Sequence, residues 1–264
     1  MEPTELAGML KRLNIHADRW SREAGLTQHC LDARPFGSAY VSISLAEQGP
    51  FSSSNFNRVY LCGAGEGLTA EGLARIADLF RQAGVHRYYV WLSPGPRMEA
   101  VRAWLTDSGM TRHPHVRYPT LARDAGMPPY AAARIEAREM DAGEARHLAE
   151  RHEGIAWPDY RRSAGAPGFR HFMAFCDGTP IATAVLHVLD DLGYLGSALT
   201  AEPLRGRGAQ QALIARRMET AAALGCRVLV SETLSFLEVS LGNLQKAGFR
   251  TIFEKEVYEA GLKA

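Results

Sequence analysis

The chain has 264 residues, of which 46% are hydrophobic, and its 30 Lys and Arg residues nearly balance its 29 Asp and Glu residues. This composition is typical of a soluble globular protein, and the length suits two domains of ~100–150 residues each. A net charge of +1, with no basic run longer than Arg161-Arg162 or Arg216-Arg217, argues against nucleic acid as a partner.

In the first half of the chain, helical and strand patterns alternate. Apolar residues spaced by three and four predict amphipathic helices, and period-two alternation predicts strands. Thr69 is placed to cap a helix, and Gly84 to end it. The predicted elements are a helix over residues 4–24, strands over 40–45 and 59–62, a helix over 69–84, a strand over 88–92 and a helix over 98–106.

The segment from Thr120 to Tyr130 contains Pro128 and Pro129, which forbid a helix or a central strand. We therefore place a boundary there, between domains at 1–123 and 134–264. The second half continues with a hairpin that turns at Asp177-Gly178. Its predicted elements are strands over 134–139, 172–176, 181–186, 194–199, 228–230 and 251–258, and helices over 142–151, 208–224 and up to about residue 246.

The two halves form a faint internal repeat of Tyr-containing strand, helix, Gly, strand, helix, and Gly before an apolar residue. From Tyr60 to Gly84 there are 24 positions, and from Tyr194 to Gly225 there are 31. The first half thus lacks about seven residues where the second half has a glycine loop. The repeat predicts a mixed α/β fold of two similar halves, in which the first half has no phosphate loop.

The glycine loop is Arg205-Gly206-Arg207-Gly208-Ala209-Gln210, at the start of a predicted helix. Two glycines let the backbone approach a ligand, and a helix N-terminus attracts a pyrophosphate. An ordinary strand-to-helix turn with two solvent-facing arginines explains Gly-x-Gly alone equally well. A nucleoside-triphosphate P-loop is excluded because no Lys-Ser/Thr follows the glycines, and a dinucleotide fingerprint because Gln211 replaces its third glycine.

From about Arg134 to Tyr258 the order of elements resembles the GNAT superfamily of acyl-CoA N-acyltransferases. The family's phosphate-loop motif, Arg/Gln-x-x-Gly-x-Gly/Ala, is matched at Arg205 and Gly208, whereas Gln210 replaces the usual small last residue. The resemblance implies a mixed, mostly antiparallel central sheet flanked by helices. It also implies transfer of an acetyl group from acetyl-CoA, without a metal, to a primary amine of a small molecule or a protein.

By the same resemblance, the phosphates of CoA bind Arg205, Gly206, Arg207, Gly208, Ala209 and Gln210, and the pantetheine arm lies along Ala198, Leu199 and Thr200. In many members a Tyr four residues before the final Gly-Phe donates a proton to the departing thiolate. The final Gly-Phe here is Gly248-Phe249, and this chain has Leu244 at the position of the Tyr. Ser240 and Asn243 lie one turn apart on the same helix. We assign Asn243 to the CoA arm, with an exposed polar helix face as the commoner alternative.

An alkyl ammonium acceptor, with a pKa near ~10.4, must lose a proton before it attacks the thioester. The strand from Tyr194 to Leu199 carries no carboxylate, and Glu232 follows the neighbouring strand. We therefore predict Glu232 as the base, acting through water, with a capping or surface carboxylate as the commoner alternative and Asp159 as the next candidate. Water or Ser240 would protonate the departing thiolate.

The segment Trp157-Pro158-Asp159-Tyr160 borders the acceptor site in the resembling fold, so Trp157, Asp159 and Tyr160 are predicted to contact the substrate. Core packing of Trp157 is an equal alternative. The group His147, His152 and Glu153 is interpreted as solvated side chains rather than a metal site.

The four cysteines show no zinc-ligand spacing and are predicted to be reduced. No window approaches the ~18 apolar residues of a membrane span, and the first residues do not resemble a signal peptide. We expect a cytoplasmic protein with no membrane partner, and the sequence leaves its oligomeric state open. Two other functions remain: a non-catalytic acyl-CoA-binding or sensor protein, and a structural partner domain with an unoccupied loop.

Overall fold

The computed structural model describes residues 1–23, 39–43, 57–61, 69–128, 130, 135–152 and 154–261. The predictions for Cys30, Cys62 and Glu153 lie outside this part of the chain. Its helices are α1 (Pro3–Glu23), α2 (Ala70–Gln82), α3 (Met98–Asp107), α4 (Ala142–Arg151), α5 (Pro158–Arg162), α6 (Ala209–Ala223) and α7 (Glu238–Lys246). Its strands are β1 (Ala39–Ser42), β2 (Arg58–Leu61), β3 (Arg87–Leu92), β4 (Thr111–Asp124), β5 (Glu136–Met140), β6 (Phe169–Cys176), β7 (Thr179–Leu189), β8 (Leu192–Thr200), β9 (Val228–Glu232) and β10 (Arg250–Gly261).

The chain divides into two compact units. The strand order is β1-β2-β3-β10-β4 in the first unit and β4-β9-β8-β7-β6-β5 in the second. Each unit has one parallel pair, β2–β3 or β8–β9. The pairs β1–β2, β3–β10, β4–β9, β5–β6, β6–β7 and β7–β8 are antiparallel. The predicted mixed, mostly antiparallel α/β fold is confirmed.

The division between the units does not follow the chain in simple order. The first unit comprises Met1–Pro119, Leu234–Phe236 and Ile252–Ala264, and the second comprises Thr120–Thr233 and Leu237–Thr251. The last strand of the chain therefore belongs to the first unit, whereas the sequence placed it in a domain at 134–264. Each half of the chain supplies a strand to the sheet of the other half.

The segment where the sequence placed a boundary is partly a strand. Thr120–Asp124 continues β4 and pairs with β9, with Thr120 opposite Glu232. The expectation that no central strand forms here does not hold for these residues. Pro114 and Pro119 interrupt the alternation that would have revealed the strand, and its partner is over 100 residues away in sequence. The short helix α5 was not predicted either.

Helix α6 packs on the sheet of the second unit, as its pattern predicted. Leu213 and Ile214 are 1% and 0% exposed and share a core with Phe172, Leu186 and Leu195 of the strands. Burying each such side chain contributes about 1.5–3 kcal/mol. This packing fixes the start of α6, and hence the glycine loop, against the sheet.

No helix in the described part of the chain is both long and apolar enough to span a membrane. Cys176 and Cys226, the cysteines within that part, are not in disulfides.

A second core cluster of the same unit contains a buried histidine. His171 is 3% exposed, with Nε2 3.0 Å from Ser163 Oγ and its ring edge-on to Tyr160. Burial lowers the pKa of His171 to about 4, although a hydrogen bond from the imidazole to the backbone of Tyr160 partly opposes the shift. The imidazole is therefore neutral at pH 7.

This buried histidine predicts acid sensitivity. Because the pKa of His171 is lower in the folded than in the unfolded chain, its stabilising effect is complete above pH ~6.5 and is lost as the pH falls towards 4. The loss should reach about 3 kcal/mol. Urea unfolding at pH 7.5 and pH 5 should therefore show a smaller difference in His171→Gln than in the unmutated chain. The matched control is the exposed His147→Gln, which should retain the full difference in stability between the two pH values. The same difference in both variants would contradict this assignment.

Candidate functional site

The glycine loop connects β8 to α6 through a 3₁₀ turn over Glu202–Leu204. Gly206 and Gly208 have φ angles of 80° and 85°, which side chains other than Gly adopt only with strain. Gly208 is the N-cap of α6, so no side chain caps the helix, and its first turn has no acidic residue. The backbone N–H groups and positive dipole end of α6 are thus not blocked by a capping side chain.

The two arginines of the loop lie at the surface. The Arg205 side chain is 62% exposed and 3.8 Å from Glu202, a contact that contributes little at such exposure. Arg207 is also exposed, with Nη1 3.6 Å from Cys176 Sγ. Both cations are therefore placed to contact an anion that reaches the loop from solvent.

Gln210 and Asn243 bond to each other. Asn243 Nδ2 donates to Gln210 Oε1 at 2.7 Å, and Gln210 Nε2 donates to Ser240 Oγ at 3.0 Å. Gln211 Nε2 in turn donates to Asn243 Oδ1 at 3.2 Å. In this structure the side-chain amides of Asn243 and Gln210 join α6 to α7, and their assignments to the CoA arm and to the phosphate loop stay predictions. Gln210, which replaces the small last residue of the family motif, is thus one of the residues that connect α6 to α7.

Strand β8 extends beyond its parallel partner. The β8–β9 ladder runs from Leu192↔Val228 to Leu195↔Ser231, and Ser231 Oγ donates to Leu195 O at 2.8 Å at its end. Beyond this rung β8 continues through Gly196–Thr200. Ala198, Leu199 and Thr200, the predicted path of the pantetheine arm, therefore lie past the end of the β9 ladder.

A β-bulge interrupts β8 at this place. Thr183 pairs with Leu199 but Val185 pairs with Gly196, so Ser197 and Ala198 together oppose one residue of β7. Ser197 adopts a φ of 48°, in the left-handed region. The bulge turns the backbone out of the regular ladder.

Trp157 reaches this bulge. Its indole Nε1 donates to Ala198 O at 3.3 Å, and the residue is 51% exposed. The structure thus brings Trp157 to the strand end rather than into the core.

Glu232 lies at the carboxyl end of β9 between two hydroxyl groups. Thr120 Oγ1 donates to Glu232 Oε1 at 2.7 Å, and Tyr194 Oη is 3.5 Å from Oε2. Sequence reasoning identified the carboxylate but missed Tyr194 and Thr120. Thr120 lies in the segment for which the sequence predicts no central strand, and the strand pattern around Tyr194 does not indicate the partner of its hydroxyl group.

The assignment of Tyr160 to the acceptor pocket is corrected. Tyr160 is 0% exposed, its Oη donates to Phe172 O at 3.3 Å, and burial raises its pKa. It packs in the core because its ring faces inward from α5. The side chain of Asp159 lies outside the described part of the chain, as do residues 62–68 of the first half, so the predictions for both stay predictions.

Within the described residues, no group of three or more His, Cys, Asp and Glu side chains is placed to hold a metal ion. Among side chains that sequence reasoning did not single out, Arg217 of α6 is 2% exposed. Its position four residues after Leu213 and four before Ala221, on the apolar face of the helix, was the available signal.

Comparison with known proteins gives a family for part of the chain. A model of the Acetyltransferase (GNAT) family matches residues 133–249, which include the glycine loop, Glu232 and Gly248-Phe249. A search of curated proteins found no match.

Solved structures resemble the whole chain. A GCN5-related N-acetyltransferase from Kribbella flavida has a TM-score of 0.65 at 15% identity, covering 100% of this chain and 97% of that one. One from Sphaerobacter thermophilus has a TM-score of 0.59 at 16% identity, covering 89% and 83%. A tandem GNAT protein from the clavulanic acid biosynthesis pathway has a TM-score of 0.61 at 12% identity, covering 86% and 80%. At these identities the likeness shows a shared fold.

The contact between Gly196 and Tyr194 predicts a steric coupling. A Cβ added to Gly196 would lie 2.6 Å from Tyr194 Cε1, so Gly196→Ala must displace the ring. We expect a loss of about 1–3 kcal/mol in urea unfolding. In a Tyr194→Ala background the same change should be nearly neutral. An equal penalty in both backgrounds would show that the ring is not the obstacle.

Proposed function

From the match of the Acetyltransferase (GNAT) family model to residues 133–249, we propose that the second unit transfers an acetyl group from acetyl-CoA to a primary amine. The observation that carries the proposal is the N-terminus of α6, which has no side-chain cap and follows Gly206 and Gly208. It lies after the end of β8, which extends past the last residue that pairs with β9. A helix N-terminus of this kind binds a pyrophosphate, and an unpaired strand edge binds an extended arm that contains amides.

The donor would be held by the backbone. N–H groups of the first turn of α6 would bind the pyrophosphate, with Arg205 and Arg207 adding charge-assisted contacts. The pantetheine amides would pair with the edge of Ala198–Thr200. An arm amide that used Ala198 O would replace or share the hydrogen bond that Trp157 makes there.

Glu232 would accept the proton of the acceptor ammonium, through water. Thr120 and Tyr194 hold one carboxylate oxygen each, which fixes the orientation of the group. The amine nitrogen then attacks the thioester carbon and loses its second proton to water, the C–S bond breaks, and CoA leaves as the thiolate. A thiol has an ordinary pKa of ~8.5, so water suffices to protonate the thiolate.

Leu244 supports the alternative of an acyl-CoA-binding or sensor protein. It stands where many GNAT members have an acidic Tyr, and it is 3% exposed within the core. The two functions are separated by incubating the chain with acetyl-CoA and a panel of primary amines while free thiol is measured. Amine-dependent thiol release supports the enzyme, whereas saturable CoA binding without release from any amine supports the sensor.

The loop assignment predicts that Gly208→Val abolishes most CoA binding. A branched side chain disfavours the positive φ and crowds the phosphates, so calorimetry should show the Kd for CoA rising more than about tenfold. Gly225→Val is the matched control, because Gly225 has a φ of 81° at the opposite end of α6. It should lose similar stability but retain CoA affinity. Unchanged affinity in Gly208→Val would remove the loop from the site.

The base assignment predicts a kinetic effect without a binding effect. Glu232→Gln retains an oxygen and similar volume but cannot accept the proton, so kcat/KM should fall by roughly 10²-fold or more. The Kd for CoA should change little, since Glu232 is not assigned to the donor. Exposed Glu238→Gln on α7 serves as the control and should keep full activity. A wild-type rate in Glu232→Gln would place the base elsewhere.

A further inference from the structure

Arg217 is a buried cation whose hydrogen-bond partners in the described part of the chain are backbone carbonyls. Its Nε donates to Leu213 O at 3.0 Å, and its Nη1 donates to Val185 O at 3.0 Å and to Gly196 O at 3.3 Å. Burial lowers the pKa of Arg217 to about 9, with nearby Tyr194 opposing the shift, so the guanidinium is charged at neutral pH.

The carbonyls of Val185 and Gly196 lie next to the bulge, on the same side of it. Val185 of β7 and Gly196 of β8 are cross-strand partners, and the extra residue of β8 follows immediately, at Ser197 and Ala198. A bulge disrupts the ladder locally, and a buried carbonyl without a donor is costly. One nitrogen of Arg217 supplies a donor to both carbonyls at the base of the bulge.

Stability alone gives no reason for a cation here. A charge removed from water and compensated by dipoles loses much of its solvation energy, and well-packed apolar residues often replace buried ions without loss. An apolar side chain of similar length would suit the surrounding face of α6, which holds Leu213, Ile214 and Ala221. Such a side chain could not donate a hydrogen bond to either carbonyl.

We propose that Arg217 is a positioning residue for donor binding: it holds the bulge of β8 so that the edge of Ala198–Thr200 is presented to the pantetheine arm of CoA. The inference rests on the proposed function and extends it. Arg217 does not touch the donor in this scheme. It acts through Gly196 O on the backbone that does.

The test separates the arm of CoA from its nucleotide. Arg217→Met keeps the length of the side chain but removes its donors. Calorimetry on the full chain would compare CoA with 3′-phosphoadenosine 5′-diphosphate, the part of CoA that lacks the arm. The matched control is Arg216→Met, next to it on α6 but exposed and paired with Glu219 at 3.0 Å.

In Arg217→Met the Kd for CoA should rise about tenfold, the loss expected when one or two backbone hydrogen bonds to the arm are misplaced. The Kd for the nucleotide should change less than about twofold, because the loop at residues 205–209 is retained. Arg216→Met should change neither. Equal losses for both ligands would indicate a general structural role and overturn the proposal, as would unchanged CoA binding.

A second variant, Arg217→Lys, tests the proposal if Arg217→Met does not fold. Arg217→Lys retains a buried cation but lacks the planar fork, and it should show faster amide hydrogen exchange at residues 196–200 and weakened binding of CoA alone. Unchanged exchange and binding in a folded Arg217→Lys would overturn the proposal. If the unmutated chain binds neither CoA nor the nucleotide, the proposed function itself fails, which is distinct from a failure in the variants alone.

Discussion

Strand β8 continues for five residues after its parallel partner β9 has stopped pairing with it, and at this end of the ladder its backbone carbonyls accept hydrogen bonds from side chains. Three side chains supply them. Ser231 donates to Leu195 O, Arg217 to Gly196 O, and Trp157 to Ala198 O. These three hydrogen bonds hold the irregular backbone around the end of the β9 ladder, while β7 still pairs with Leu199 and Thr200.

The other parts of the candidate site are arranged around this strand end. Because β8 and β9 are parallel, their carboxyl ends lie at the same edge of the sheet, which brings Glu232 near the bulge. The glycine loop follows β8 after one 3₁₀ turn, and the amides of Gln210 and Asn243 tie the start of α6 to α7. The glycine loop, the end of β8 and Glu232 thus all belong to the second unit.

Local patterns in the sequence predicted the parts of the fold that depend on local physics. The glycines at 206 and 208, the hairpin turn at Asp177-Gly178 and the helix α6 all follow from backbone preference and periodicity. Long-range pairing was not predictable in this way, so β4 was not predicted as a strand. Partners chosen by tertiary packing were missed for the same reason: nothing near Gln210 in sequence indicates Ser240, and nothing near Arg217 indicates Val185.

The exchange of strands between the two halves has a consequence for how the chain folds during synthesis. β3 pairs with β10, whose residues lie about 170 positions further along the chain. The first unit therefore cannot complete its sheet until nearly all of the described chain has been made, and until then β3 presents an open edge of buried residues such as Val90 and Leu92. Such distant contacts slow folding and expose the intermediate to aggregation. The two units are thus coupled in folding, even though each has its own core.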